Sequence, residues 1–150
     1  MNLTERLDPV LAVARDSAQE SDAAARFPAG AVTALRESGL LGLTLPAEVG
    51  GLGAGPHELV EVVSSLAGAC GSTAMIYLMH VSAAMSVAAA PPAGLPDLLG
   101  DMASGRALSS LAFSEPGSRS HFWAPVSQAQ RNGAGVRLQQ MGQAFVVVCG

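Results

Sequence analysis

Leu111-Ala112-Phe113-Ser114-Glu115-Pro116-Gly117-Ser118-Arg119-Ser120-His121 is the stretch on which the reading of the fold turns. Residues 1–106 ahead of it place apolar side chains at helical spacing, whereas the residues behind it carry a hairpin signal and short β-branched runs. A polar loop rich in Ser, Gly and Pro at such a change of period marks the hand-over from a helical region to a sheet. Junctions of this kind commonly hold ligands, so these residues are also the first candidates for a site.

Working back towards the N-terminus, Asp8-Pro9 reads as a helix start, with Asp as N-cap and Pro at the first helical position, and the helix runs to about Arg26. Pro28 opens a second helix that Gly39 closes in the C′ position. Leu40 to Gly55 reads as a loop. Its Gly50-Gly51-Leu52-Gly53 run lacks the third glycine of a dinucleotide fingerprint and any βαβ surroundings, so it is a structural turn. Pro56 begins a third helix with Leu59, Val63, Leu66 and Cys70 on one stripe.

Ser72 caps a stretch to Ala90 that is apolar on nearly every face. A membrane span needs about 20 apolar residues. His80, Ser82 and Ser86 interrupt this one and no basic flank follows, so the expectation is a buried central helix and no membrane span. In the complete protein a charge at Ile76 is then expected to prevent soluble expression. Pro91-Pro92 ends this helix, and a short helix over Pro96 to Ala103 stops at Gly105.

Beyond the junction, Ala107 to Phe113 reads as extended. Asn132-Gly133 provides a hairpin turn between Val126–Gln130 and Gly135–Gln139, and Phe145 to Val148 makes a last strand. Two hairpin strands and one edge strand cannot enclose a core, so this β-part reads as cut off in mid-sheet. The fold class is therefore mainly α, a helical domain over residues 1–106 followed by an incomplete, truncated β-domain over 107–150.

Composition narrows the function classes. Hydrophobic residues make up 49% of the chain, charged residues 13% and aromatics 4%, so the core is built from Ala, Leu, Val and Met. Residues 1–101 hold eleven acidic side chains against four Arg, and residues 102–150 hold four Arg against Glu115. The basic second part suits a phosphate-bearing small molecule, but with no Lys and no interleaved aromatics it is a poor nucleic-acid surface. Cys70 and Cys149 have no metal-ligand spacing, no secretory signal opens the chain, and a reducing cytoplasmic setting is expected.

Two separated segments carry a family resemblance. Ala34-Leu35-Arg36-Glu37-Ser38-Gly39-Leu40-Leu41-Gly42-Leu43-Thr44-Leu45-Pro46-Ala47-Glu48-Val49-Gly50-Gly51-Leu52-Gly53 is similar to the "LREAGLLGLxxPEExGGxG" segment of the acyl-CoA dehydrogenase family, and Phe113 to His121 resembles its "xTEPGxGSD" loop. The resemblance implies a flavoprotein with an N-terminal helical domain, a middle β-domain and a C-terminal four-helix bundle, usually tetrameric. It implies FAD as cofactor and an acyl-CoA thioester as substrate, with a carboxylate removing the Cα proton while the flavin takes hydride from Cβ. In most members that base is a Glu in the bundle, so no catalytic base is assigned here and the chain alone is expected to be weak or inactive. No electron acceptor is implied.

Carried over residue by residue, the resemblance places Leu111, Phe113, Ser114, Ser120, Phe145 and Val147 at the flavin, and Ser120 and Arg119 at the substrate. Ser114 takes the position of the family's Thr, and Phe145 that of the aromatic covering the ring. Arg119 stands where a Gly is usual, His121 where an Asp is usual, and Val147 replaces a hydroxyl-bearing Thr. Arg119 is assigned to a ligand phosphate on the strength of the basic C-terminal part. Two other readings stand beside this one: a flavin-dependent monooxygenase of the same fold, and a non-catalytic helical interaction module.

Overall fold

The structure, a computed structural model, describes residues 2–111, 126, 128–133 and 135–139. Five helices occupy the first part: α1 (Leu3–Ala23), α2 (Ala29–Ser38), α3 (Pro56–Ala69), α4 (Gly71–Ala89) and α5 (Leu98–Ser104). A hairpin of β1 (Gln128–Asn132) and β2 (Gly135–Gln139) follows, antiparallel, with Asn132 opposite Gly135. The mainly α architecture expected from the sequence is the one observed.

Helix boundaries follow local chemistry, and one differs from expectation. α1 starts at Leu3 because Asn2 and Glu5 form a reciprocal capping box: Asn2 Oδ1 accepts the Glu5 N–H at 2.8 Å, and Glu5 Oε2 accepts the Asn2 N–H at 3.0 Å. Asp8-Pro9 therefore lies inside the helix. Pro9 is exposed and near the N-terminal end, where water can serve the carbonyl that loses its partner. Gly39 ends α2 with φ +73, as its C′ placement requires. At α3 the Glu58 carboxylate accepts the Gly55 N–H at 3.0 Å and Pro56 stands in the first turn.

α1 packs on α2, α3 and α4, and α3 packs on α4. The main core gathers Leu7, Val10 and Leu11 from α1, Leu35 from α2, Val62 and Leu66 from α3, and Ala74, Tyr77 and Val81 from α4. On α3 the buried positions are Val62 and Leu66, with Leu59 and Val63 on the flanks, so the buried stripe is centred slightly away from the expected one. A second cluster joins Leu45, Ala83, Ala84, Met102, Ala103 and Ala107 around α5.

Leu40–Gly55 is not a plain surface loop. It contains two 3-10 turns, Leu40–Gly42 and Ala47–Val49, and it buries Leu40, Leu41, Leu43 and Leu45 completely. α4 also departs from expectation. It is long and apolar enough to cross a membrane, yet it is buried on one face only, through Thr73, Ala74, Tyr77, His80, Val81, Ala83 and Ala84. Met75 and Met85 are exposed and Ile76 is half-buried, so the sensitivity to charge foreseen at Ile76 belongs, in this chain, to the buried face. That face carries hydroxyl and imidazole groups bonded to other segments, the pattern of a bundle helix.

Candidate functional site

The first feature of the site is a fold-back in the segment 42–54. Gly51 N–H donates to the Pro46 carbonyl at 3.0 Å, Gly53 N–H to Leu45 at 2.8 Å, Ala54 N–H to Leu43 at 2.8 Å and Leu52 N–H to Gly42 at 3.0 Å. Two backbone stretches are thus tied side by side, and they approach so closely that a Cβ on Gly51 would stand 2.0 Å from the Leu45 carbonyl oxygen. The glycine run is a structural turn, as its sequence suggests, and no strand flanks it among the described residues.

The second feature is the chain leaving α5. Gly105, at φ +73, turns the backbone, and its carbonyl accepts from Arg36 Nε at 2.9 Å. Ala107 N–H bonds the Asp101 carbonyl at 3.0 Å, and Arg106 pairs with the Asp101 carboxylate through Nε at 2.8 Å. A cleft of about 440 Å3 lies here, between Leu95, Pro96, Asp97, Asp101, Arg106 and Ala107. With its guanidinium held by Asp101, Arg106 is not free to act as an anion hook in this arrangement.

Ala107 and Ser109 are buried, whereas Leu108, Ser110 and Leu111 are half-buried. What holds this exit segment is a side chain that the sequence did not single out. His80, fully buried on α4, has its Nε2 3.2 Å from the Met102 carbonyl and its Nδ1 3.2 Å from both the backbone nitrogen and the hydroxyl of Ser109. A carbonyl can only accept and a backbone N–H can only donate, so Nε2 carries the proton and Nδ1 is the acceptor. The Ser109 hydroxyl also lies 3.4 Å from the His80 carbonyl, which can take its proton.

This network needs a neutral ring. Burial pushes the His80 pKa below the usual histidine value, and the Arg36 charge pushes it the same way, while the bonds to the Met102 and Leu41 carbonyls oppose both. With both ring nitrogens engaged and no exposed surface, His80 has no lone pair to offer a substrate. Its chemistry is to hold. Tyr77, one helical turn earlier, donates its hydroxyl to the Leu40 carbonyl at 3.1 Å, and burial pushes its pKa up.

Of the residues expected at the flavin, Leu111 is described: it packs against the cluster of Ala83, Ala84, Met102 and Ala103 with part of its surface uncovered. Phe113, Ser114, Arg119, Ser120, Phe145 and Val147 lie outside the described residues. The expected hairpin is observed, its first strand running over Gln128–Asn132 where the sequence suggested Val126–Gln130. No cluster of metal-ligating side chains occurs among the described residues.

The helical domain packs a buried, glycine-dependent fold-back against its last helix, and a β-hairpin follows it in the chain. Residues 10–106 match the family model for the acyl-CoA dehydrogenase N-terminal domain, and the chain belongs to the acyl-CoA dehydrogenase family. A relative is the flavin-dependent monooxygenase, oxygenase subunit HsaA, of Rhodococcus jostii (strain RHA1), 38% identical over 72 residues. That match covers 48% of this chain and 19% of the relative.

Proposed function

We propose that this chain supplies the N-terminal helical domain and the flavin-facing turn of an FAD-dependent, acyl-CoA dehydrogenase-like oxidoreductase. Residues 1–106 form the helical domain and residues 107–150 open the β-domain. The observation that carries this reading is the exit segment Ala107–Leu111, pinned to α4 and α5 directly ahead of the Phe113-Ser114-Glu115-Pro116-Gly117 sequence. In it the Ser114 hydroxyl and the backbone of the Glu-Pro-Gly turn hold the polar edge of the ring, Leu111 and Phe145 cover its apolar parts, and Ser120 and Arg119 bind the thioester arm and a phosphate. FAD, when bound, supplies the two-electron acceptor. No proton-abstracting carboxylate is assigned within residues 1–150, and in this reading they bind ligand without turning it over.

A second reading, a flavin-dependent monooxygenase, is favoured by the relationship to the Rhodococcus oxygenase subunit. One experiment separates the two. The full-length gene product is loaded with FAD and mixed anaerobically with a panel of acyl-CoA thioesters. Bleaching of the visible flavin band supports desaturation. Failure to bleach, with oxygenated product formed only after the bound flavin is reduced with stoichiometric dithionite and oxygen is admitted, selects the monooxygenase. Failure to bind flavin refutes both.

A further inference from the structure

We infer that His80 is a positioning residue for the flavin site, acting through its Nδ1 bond to the Ser109 backbone to fix the segment that ends in Leu111. The inference rests on the proposed flavin reading for its functional consequence but on described geometry for its mechanism. His80 is fully buried, and its two nitrogens reach two different pieces of chain: the last turn of α5 through Met102 and the exit segment through Ser109. Among the described residues the Ser109 backbone N–H has no helical or strand partner, and the imidazole is what satisfies it. Ser109 is itself buried, and two residues further on Leu111 rests on the cluster that Met102 belongs to. One ring thus sets the spacing between α4, α5 and the departing backbone.

The two arms of the ring can be cut separately. In His80→Asn the amide oxygen occupies the place of Nδ1 and keeps the Ser109 bond while losing Met102. In His80→Gln the longer amide reaches the Nε2 place, keeps Met102 and loses Ser109. Both exchanges put an amide of similar size at one buried site, so a purely structural role costs both alike. In the full-length protein titrated with FAD, the affinity of His80→Asn is expected within about twofold of the parent. That of His80→Gln is expected to fall about tenfold, equivalent to about 1.4 kcal/mol, with a shifted flavin absorption band. Hydrogen exchange at Ser109–Leu111 is expected to quicken in the Gln variant and not in the Asn variant.

Equal FAD affinities for the two variants would overturn the inference, as would unchanged Ser109 exchange in His80→Gln. A parent protein that binds no FAD while Ser109 remains protected would refute the flavin reading instead, and the exchange contrast would still decide whether His80 holds the exit segment.

Discussion

Replacing Gly51 by Ala tests the fold-back directly, because the change adds one carbon and removes nothing. That carbon would meet the Leu45 carbonyl oxygen at 2.0 Å, its carbonyl carbon at 2.4 Å and Leu45 Cβ at 2.7 Å. Ordinary contact needs more than an ångström of extra separation, and the obstacle is backbone, not a side chain that can rotate away. Four backbone hydrogen bonds tie the two stretches, and Leu43 and Leu45 beneath them are 1% exposed. Separation therefore weakens two or more bonds, each about 1 kcal/mol, and disturbs core packing at a cost of about 1–3 kcal/mol. The expected loss is about 3–4 kcal/mol, or on the order of 10 °C in Tm for a domain of this size. Gly53→Ala is the control. Its φ is +63 but its Cβ would meet nothing within 4 Å, so it carries only the left-handed backbone cost of about 1–2 kcal/mol. Thermal and urea unfolding should show Gly51→Ala the more destabilised of the two by at least about 1 kcal/mol. Equal losses would refute the close approach of Gly51 to Leu45.

Tyr77→Phe removes the donor to the buried Leu40 carbonyl and should cost about 1–2 kcal/mol by urea unfolding; a neutral result would mean that another donor reaches that carbonyl. His80 is held neutral, its pKa lowered by burial and by the Arg36 charge, with the Asp101 carboxylate on the facing helix engaged by Arg106. Stability from this site is complete above the unfolded pKa of about 6.5 and is lost as pH falls from there towards the folded value, at up to about 1.4 kcal/mol per pH unit. The parent should therefore lose more stability than His80→Asn between about pH 7 and 5.5, and parallel profiles would contradict a neutral buried ring. Val81→Asp buries a charge in the main core and should abolish folding, whereas Ile76→Asp, on the half-buried side of α4, should leave a folded helical chain by circular dichroism.

Proline and glycine punctuation made most of the helical domain legible, because Pro28, Gly39, Pro56 and Gly105 each stand at a helix end that their backbone preferences dictate. Asp8-Pro9 misleads for a related reason: it is the louder start signal, while Asn2 and Glu5 act reciprocally three residues apart and begin the helix earlier. The buried leucines of Leu40–Gly55 escaped a periodicity reading because short 3-10 turns and a fold-back have no sustained 3.6-residue repeat. His80 was invisible as a functional group. In sequence it merely interrupts an apolar run, and Ser109 lies 29 residues away; only packing of α4 against the exit segment makes them partners.

The glycine-rich fold-back, which carries one of the two segments of the family resemblance, is joined to the exit segment Ala107–Leu111 by a continuous set of contacts. Gly51 can lie against Leu45 because it has no Cβ, and this places Leu45 in the cluster around α5. Gly42, whose carbonyl receives both Leu45 and Leu52 N–H groups, sits so near α5 that a Cβ there would approach Ala103 to 3.1 Å. The neighbouring Met102 carbonyl takes the proton of His80, and the other side of that ring receives Ser109. The glycine-rich fold-back thus bears on where α5 lies, the α5 carbonyl of Met102 and the Ser109 N–H fix the tautomer of His80, and His80 holds the backbone at Ser109. Displacing the fold-back is therefore felt at Ser109, through α5 and the His80 ring that joins them.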